Sequence, residues 1–153
     1  MKYLRYFESK KKFPNIKTYL VDDNGTFLDK NNTSDVKFTI LVGLDAESND
    51  YLTTKMANDD DIWLHTTNKI RGSHVVLKVD KTDYTQESKL PTKHIIEVAA
   101  KIAKKHSQAP KDQPCEVRFC QKKFVHKKPG MNVGQVGVDD IIEQDESTKI
   151  TVY

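Results

Sequence analysis

From Pro91-Thr92 onward the chain carries a helical repeat that dictates much of its architecture. At 100° per residue, Ile95, Ile96, Val98, Ala99, Ile102, Ala103 and His106 share one arc, with Lys93, Glu97, Lys101 and Lys104 on the other side. The spacing predicts a helix from Lys93 to His106 with one packing face and one wet, mainly positive face. Pro110 and Pro114 forbid its continuation. An apolar helix face of this width is stable only against another layer, so the rest of the chain must provide one.

That layer reads as strands. Lys17–Val21 and Thr26–Leu28 flank Asn24-Gly25, a hairpin-turn pair because both central positions of the turn need positive φ. Val36–Leu44 is an apolar run of buried-strand length. Leu52 and Met56, four residues apart, suggest a short helix over Ser48–Asn58 with Ser48 or Asn49 as its cap. Ile62–Thr66, His74–Val79, Glu116–Val125, Gly134–Val138 and Lys149–Tyr153 read as further strands, with a Lys127-Lys128-Pro129-Gly130 turn. Asn31–Ser34 and Asp80–Leu90 read as polar connections. Strands outnumber helices without alternating strictly with them. The expected class is α+β: a mixed, largely antiparallel sheet with one long amphipathic helix and a short helix packed on it.

A chain of 153 residues has room for one domain. With 37% apolar residues it can build a modest core, and its longest run without a polar side chain, Ile40–Leu44, is far short of the roughly 20 residues that cross a bilayer. No secretory-type apolar block opens the sequence, so a cytoplasmic location is expected. Cys115 and Cys120 flank Glu-Val-Arg-Phe. On an extended strand they lie roughly 16 Å apart on opposite faces, so they cannot bridge each other, and buried free thiols are expected. No cofactor or metal site is expected.

Charge is unevenly distributed. Residues 89–128 hold eleven Lys or Arg against three Asp or Glu, whereas residues 129–153 hold one against five. Such clustering suits a surface that meets phosphates, although a solvated lysine-rich face gives the same composition.

Strand alternation puts Asp61, Trp63 and His65 on one face and His74, Val76 and Lys78 on one face of the next strand. If His65 pairs with His74, Trp63 meets Val76 and Asp61 meets Lys78. The resulting polar face admits three readings. The histidines, with Asp61 orienting one of them, can bind a metal or move a proton. Trp63 can offer bases a stacking platform beside cationic contacts. Or the histidines simply satisfy each other and the backbone while Trp63 plugs the core. His94, His106 and His126 are scattered, and residues 130–137 (GMNVGQVG) match neither a P-loop nor a dinucleotide fingerprint.

Taken together, Gly43, Ser48-Asn49-Asp50, Asp61-Ile62-Trp63-Leu64-His65, Gly72-Ser73-His74-Val75, Glu97-Val98-Ala99-Ala100 and Lys127-Lys128-Pro129-Gly130 resemble the NFACT-R domain in order and spacing over roughly residues 36–138. The resemblance implies a non-catalytic RNA-binding module, with tRNA or ribosomal RNA as partner. In large NFACT proteins such a module sits beside domains that act on stalled ribosomes; stand-alone forms are also implied to bind RNA. Expected RNA contacts are Trp63, His65, Arg71, Ser73 and His74, with Lys93, Lys101, Lys104, Lys122, Lys123, Lys127 and Lys128 supplying the backbone term. Asn49, Asp50, Asp61, Gly72, Glu97 and Gly130 are expected to be structural. The sequence departs from the family pattern at Arg71, where proline is usual, and at Leu44-Asp45, where a basic residue is common. Residues 1–35 are expected to form an N-terminal extension with a hairpin and a possible protein-partner site, and residues 36–153 the domain itself. Without a tRNA-recruiting domain and coiled coil, the chain alone is not expected to extend nascent chains. The rival reading is a metal- or histidine-dependent hydrolase or RNA-modifying enzyme built on His65, His74 and Asp61.

Overall fold

The computed structural model describes residues 13–29, 31, 35–79 and 91–153. Most of the expected 31–34 loop, all of the 80–90 connection and the first twelve residues of the N-terminal extension lie outside them.

Six strands form one sheet in the order β1 (Ile16–Val21), β2 (Phe38–Gly43), β4 (Val75–Leu77), β3 (Ile62–Thr66), β5 (Cys115–Gln121), β8 (Lys149–Val152). Every neighbouring pair is antiparallel. A second, two-residue ladder joins β6 (Val125–His126) to β7 (Gly137–Val138). The helices are α1 (Ala46–Tyr51), continued by a π-helical turn over Leu52–Met56, α2 (Lys93–Lys105) and the single turn α3 (Asp140–Glu143). Among the described residues no helix is long and apolar enough to cross a membrane.

Strand alternation sorts the side chains into two cores. On one face Ile40, Val42, Leu64, Val75, Leu77, Cys115 and Val117 pack against Ile95, Ala99, Ala100, Ile102 and Ala103 of α2. On the other, Trp63, Val76 and Cys120 pack against Leu52, Ala57, Val125 and Ile142. Both thiols are free and buried, one in each core, as five-residue spacing on a strand requires.

β3 and β4 pair in the expected register, with Ile62 opposite Leu77, Trp63 opposite Val76 and Leu64 opposite Val75. α2 begins at the Thr92 cap, whose hydroxyl accepts from Ile95 N at 3.3 Å. α1 starts earlier than its apolar spacing suggests. Its cap is Asp45, which accepts from Ser48 N at 2.8 Å, because Ser48 and Asn49 are drawn inside: Ser48 Oγ accepts from Asn15 N and Asn49 Oδ1 from His74 N. The Asn24-Gly25 turn forms with Gly25 at φ +80°, but the return strand is reduced to one bridge between Val21 and Phe27. β1 nevertheless pairs with β2 at six positions.

Candidate nucleic-acid interface

The polar face of the β3–β4 hairpin is covered by the 52–57 turn and by residues 124–142, and what it presents differs residue by residue. Trp63 is only 5% exposed. Its Nε1 donates to Thr53 Oγ1 at 3.1 Å, the Thr53 hydroxyl meets His74 Nδ1 at 2.7 Å, and His74 Nε2 lies 3.0 Å from Gly134 O. A carbonyl can only accept, so His74 carries its proton on Nε2 and accepts the Thr53 hydroxyl's hydrogen bond on Nδ1. This chain of bonds is fully satisfied with a neutral imidazole. Burial is the main reason the His74 pKa falls from 6.5 to about 4, with the nearby His65 adding to it.

His65 stacks on Trp63, with ring centroids 5.8 Å apart and an interplanar angle of 10°, and meets His74 edge to face at 5.6 Å. It is half-buried, and its Nδ1 and Nε2 lie 2.6 Å from Thr66 O and 3.2 Å from Gly72 O. Its edges are turned to backbone carbonyls, of which a neutral ring's single N–H can bond one, and the ring has the face away from Trp63 to offer.

Several motif positions act as scaffold. Asn49 packs so closely on Gly43 that a Cβ there would fall 2.1 Å from Asn49 Oδ1, and the same oxygen holds His74 N at 3.0 Å. Asp61, 1% exposed, accepts from Lys78 Nζ at 2.5 Å, Asn58 N at 2.8 Å and Val79 N at 2.9 Å. It therefore orients no imidazole. Gly72 bridges to Ser107 at the end of α2, and Ser73 N donates to His106 O at 3.1 Å. Gly130, at φ +89°, follows Pro129 in the turn closed by Met131 N to Lys128 O. Glu97 pairs with Lys101 at 3.5 Å, and Asp50 with Lys127 at 3.2 Å.

Around His65 opens a cleft of about 960 Å³. Lys69 and Arg71 of the 67–73 loop line one side, Asn132, Val133 and Gln135 another. A smaller cleft of about 310 Å³ shares Trp63, His65 and Val136 with it. Lys127 donates to Asn132 O, and to Gln135 O at 2.8 Å, which fixes the 130s wall.

The expected lysines do not converge. Lys122, Lys123, Lys127 and Lys128 belong to the segment that covers the Trp63 face. Lys93 and Lys101 are exposed on α2, behind the opposite face of the sheet. Lys104 is 9% exposed, and its ammonium donates to Gln113 O at 2.6 Å and Lys111 O at 3.3 Å. Its position on the helix's wet arc gave no hint that the following loop folds back over it. Lys69, Asn132 and Gln135 are cleft residues that sequence reading did not single out. The available signal was the polar Thr67–Lys69 turn. Among the described residues no group of three or more His, Cys, Asp or Glu could hold a metal ion.

Comparison with known proteins bears on the same residues. The family model described as the NFACT protein RNA binding domain matches residues 26–140. The chain is 40% identical over 101 residues to the Rqc2 homolog RqcH of Bacillus subtilis (strain 168), covering 66% of this chain and 16% of the relative. It is 36% identical over 103 residues to the Rqc2 homolog RqcH of Streptococcus suis (strain 05ZYH33), covering 67% and 17%. The chain thus spans less than a fifth of the length of these relatives. Its fold is similar to the solved C-terminal part of the fibronectin/fibrinogen-binding protein from Streptococcus suis, with a TM-score of 0.64 and 27% identity, over 94% of this chain and 45% of that one. Matched by its model across most of the sheet, α2 and the whole cleft, the chain belongs to the NFACT protein RNA binding domain family.

Proposed function

We propose that this chain is a non-catalytic RNA-binding module whose partner is a tRNA or a ribosomal RNA, acting among factors of ribosome-associated quality control or tRNA processing. The observation that carries the reading is the family match over residues 26–140, which takes in every residue around the His65 cleft. Its likeness to the Rqc2 homolog RqcH proteins supports the ribosomal setting. Phosphate contact is assigned to Lys69 and Arg71 at the cleft and to Lys122, Lys123 and Lys128 on the adjoining segment, with His65 and Ser73 giving local recognition. Trp63 and His74 support His65 from below. Lys127 braces the cleft wall.

The enzyme reading is weaker. Both nitrogens of His74 are engaged by Thr53 and Gly134, and Asp61 by Lys78 and two backbone amides. A metal or proton-transfer centre would first have to dismantle these bonds.

Titrating the protein with total tRNA and with ribosomal RNA over a salt series tests the proposal. The expected result is saturable binding whose affinity falls steeply as salt rises. Absent or salt-independent binding to both RNAs would refute it. Crosslinking in cells, followed by sequencing of the attached RNA, separates a tRNA partner from a ribosomal one.

A further inference from the structure

We infer that the His65 cleft takes unpaired nucleotides, with phosphate held at its rim by Lys69 and Arg71 and a base lodged on the His65 ring against Val133. This deepens the RNA reading above and rests on it.

Three features of the cleft point to a single strand. The first is its cations. Lys69 and Arg71 line it, both are exposed, and neither has an ion pair or side-chain hydrogen bond among the described residues. By contrast, Arg118 is held by Ile142 O and Thr148 Oγ1, and Lys149 by Glu116 and Glu146. The loop that carries Lys69 and Arg71 is anchored at both ends, by Thr67 N to Glu116 O at 3.1 Å, Thr66 Oγ1 to Ile70 O at 2.8 Å and Gln108 N to Arg71 O at 2.8 Å. At its tip Asn68 and Lys69 both adopt left-handed backbone, at φ 58° and 62°. Asparagine tolerates that conformation, whereas lysine is strained in it, so the fold holds a free ammonium where glycine would sit more easily.

The second is the floor. His65 presents a ring face because its two nitrogens are turned to Thr66 O and Gly72 O. It is stacked on the buried Trp63, which gives it a rigid backing. A ring that reads nothing by its edges but offers a π-face suits stacking on any base. Val133, 61% exposed, and Leu44, 42% exposed, add apolar surface to the same cleft, while Asn132 and Gln135 supply amides.

The third is size. A volume of about 960 Å³ lies within the roughly 300–1,000 Å³ of small-ligand sites. It can enclose a nucleotide or two but not the face of a helix. Duplex RNA keeps its bases stacked inside narrow or shallow grooves, so only a splayed-out base can enter. The smaller cleft beyond His65 shares its floor and gives the strand a direction in which to continue. Asp45 also lines the cleft, with one carboxylate oxygen committed to Ser48 N as the cap of α1.

Equilibrium binding of a short fluorescein-labelled single-stranded RNA of mixed sequence, and of the same strand annealed to its complement, tests the inference with the full chain. The variants are Lys69→Gly with Arg71→Ala, and Val133→Glu, all at exposed positions. The single strand should bind more tightly than the duplex. The double variant should lose on the order of tenfold in single-strand affinity, and its slope of log affinity against log salt should be shallower by about 1.4, for two lost phosphate contacts. Val133→Glu should also weaken the single strand. If the duplex binds as well as the single strand, or the variants match the parent chain, the cleft inference is overturned while the RNA reading stands. If neither probe, nor total tRNA or ribosomal RNA, binds at all, both fall.

Discussion

His74 shows how far burial can change the task of a residue that looks chemically active. It sits 2% exposed, with a proton on Nε2 for Gly134 O and a lone pair for the Thr53 hydroxyl. Its pKa of about 4 against 6.5 makes the unfolded chain bind the extra proton first, so stability is fully present above about pH 6.5 and is lost as pH falls toward 4. The loss should amount to on the order of 3 kcal/mol. Urea denaturation at pH 7 and pH 5 should show about 2 kcal/mol of it, and His74→Gln should flatten that dependence while lowering stability at pH 7. Lys69 makes the opposite case. Lys69→Gly relieves left-handed strain worth about 1 kcal/mol and should raise the melting temperature by about 3 °C while weakening RNA binding. A stability gain with unchanged RNA affinity would place Lys69 outside the interface. Sequence alternation correctly put Trp63, His65 and His74 on one face. It could not show that face covered, because most of the cover, Phe124–Ile142, is distant in sequence.

At the scale of elements, Asp61 fastens the open end of the β3–β4 pair. One carboxylate holds Lys78 and the amides of Asn58 and Val79, and so fixes where β3 begins relative to the π-helical turn. Asp61→Ala leaves two amides without their acceptor and a half-buried ammonium with Met56 O alone, and should cost about 3 kcal/mol in chemical denaturation, several times the cost of Lys78→Met. Equal costs would show the amides to be satisfied some other way. The hairpin register was readable because its alternation allows only one pairing that keeps apolar faces together. α2 was readable from its repeat, to within one residue at its end. The start of α1 was not, because Ser48 and Asn49 look like caps and are instead consumed by tertiary bonds to Asn15 and His74.

For the whole molecule, the sheet divides the basic block that sequence alone presents as continuous. α2 and its exposed Lys93 and Lys101 lie on one side; the His65 cleft and the 122–128 lysines lie on the other. The cleft meets α2 only at the helix's C-terminal end, through His106, Ser107 and Gln108, so RNA seated in it lies away from Lys93 and Lys101. Replacing Lys93 and Lys101 together by alanine should therefore change affinity for single-stranded RNA by less than about twofold, against about tenfold for the cleft variants. Comparable losses from both pairs would mean that RNA wraps the sheet edge.

Two thiols, one beneath α2 and one beneath Val125 and Ile142, equip the protein with a pair of internal clocks. Burial raises the pKa of each, that of Cys120 to about 11, so neither reacts with an alkylating reagent until its layer lifts. Mass-spectrometric timing of modification at Cys115 and Cys120 in the untouched protein should give two distinct rates. RNA should slow Cys120 more than Cys115, because an occupied cleft pins the layer that shields Cys120.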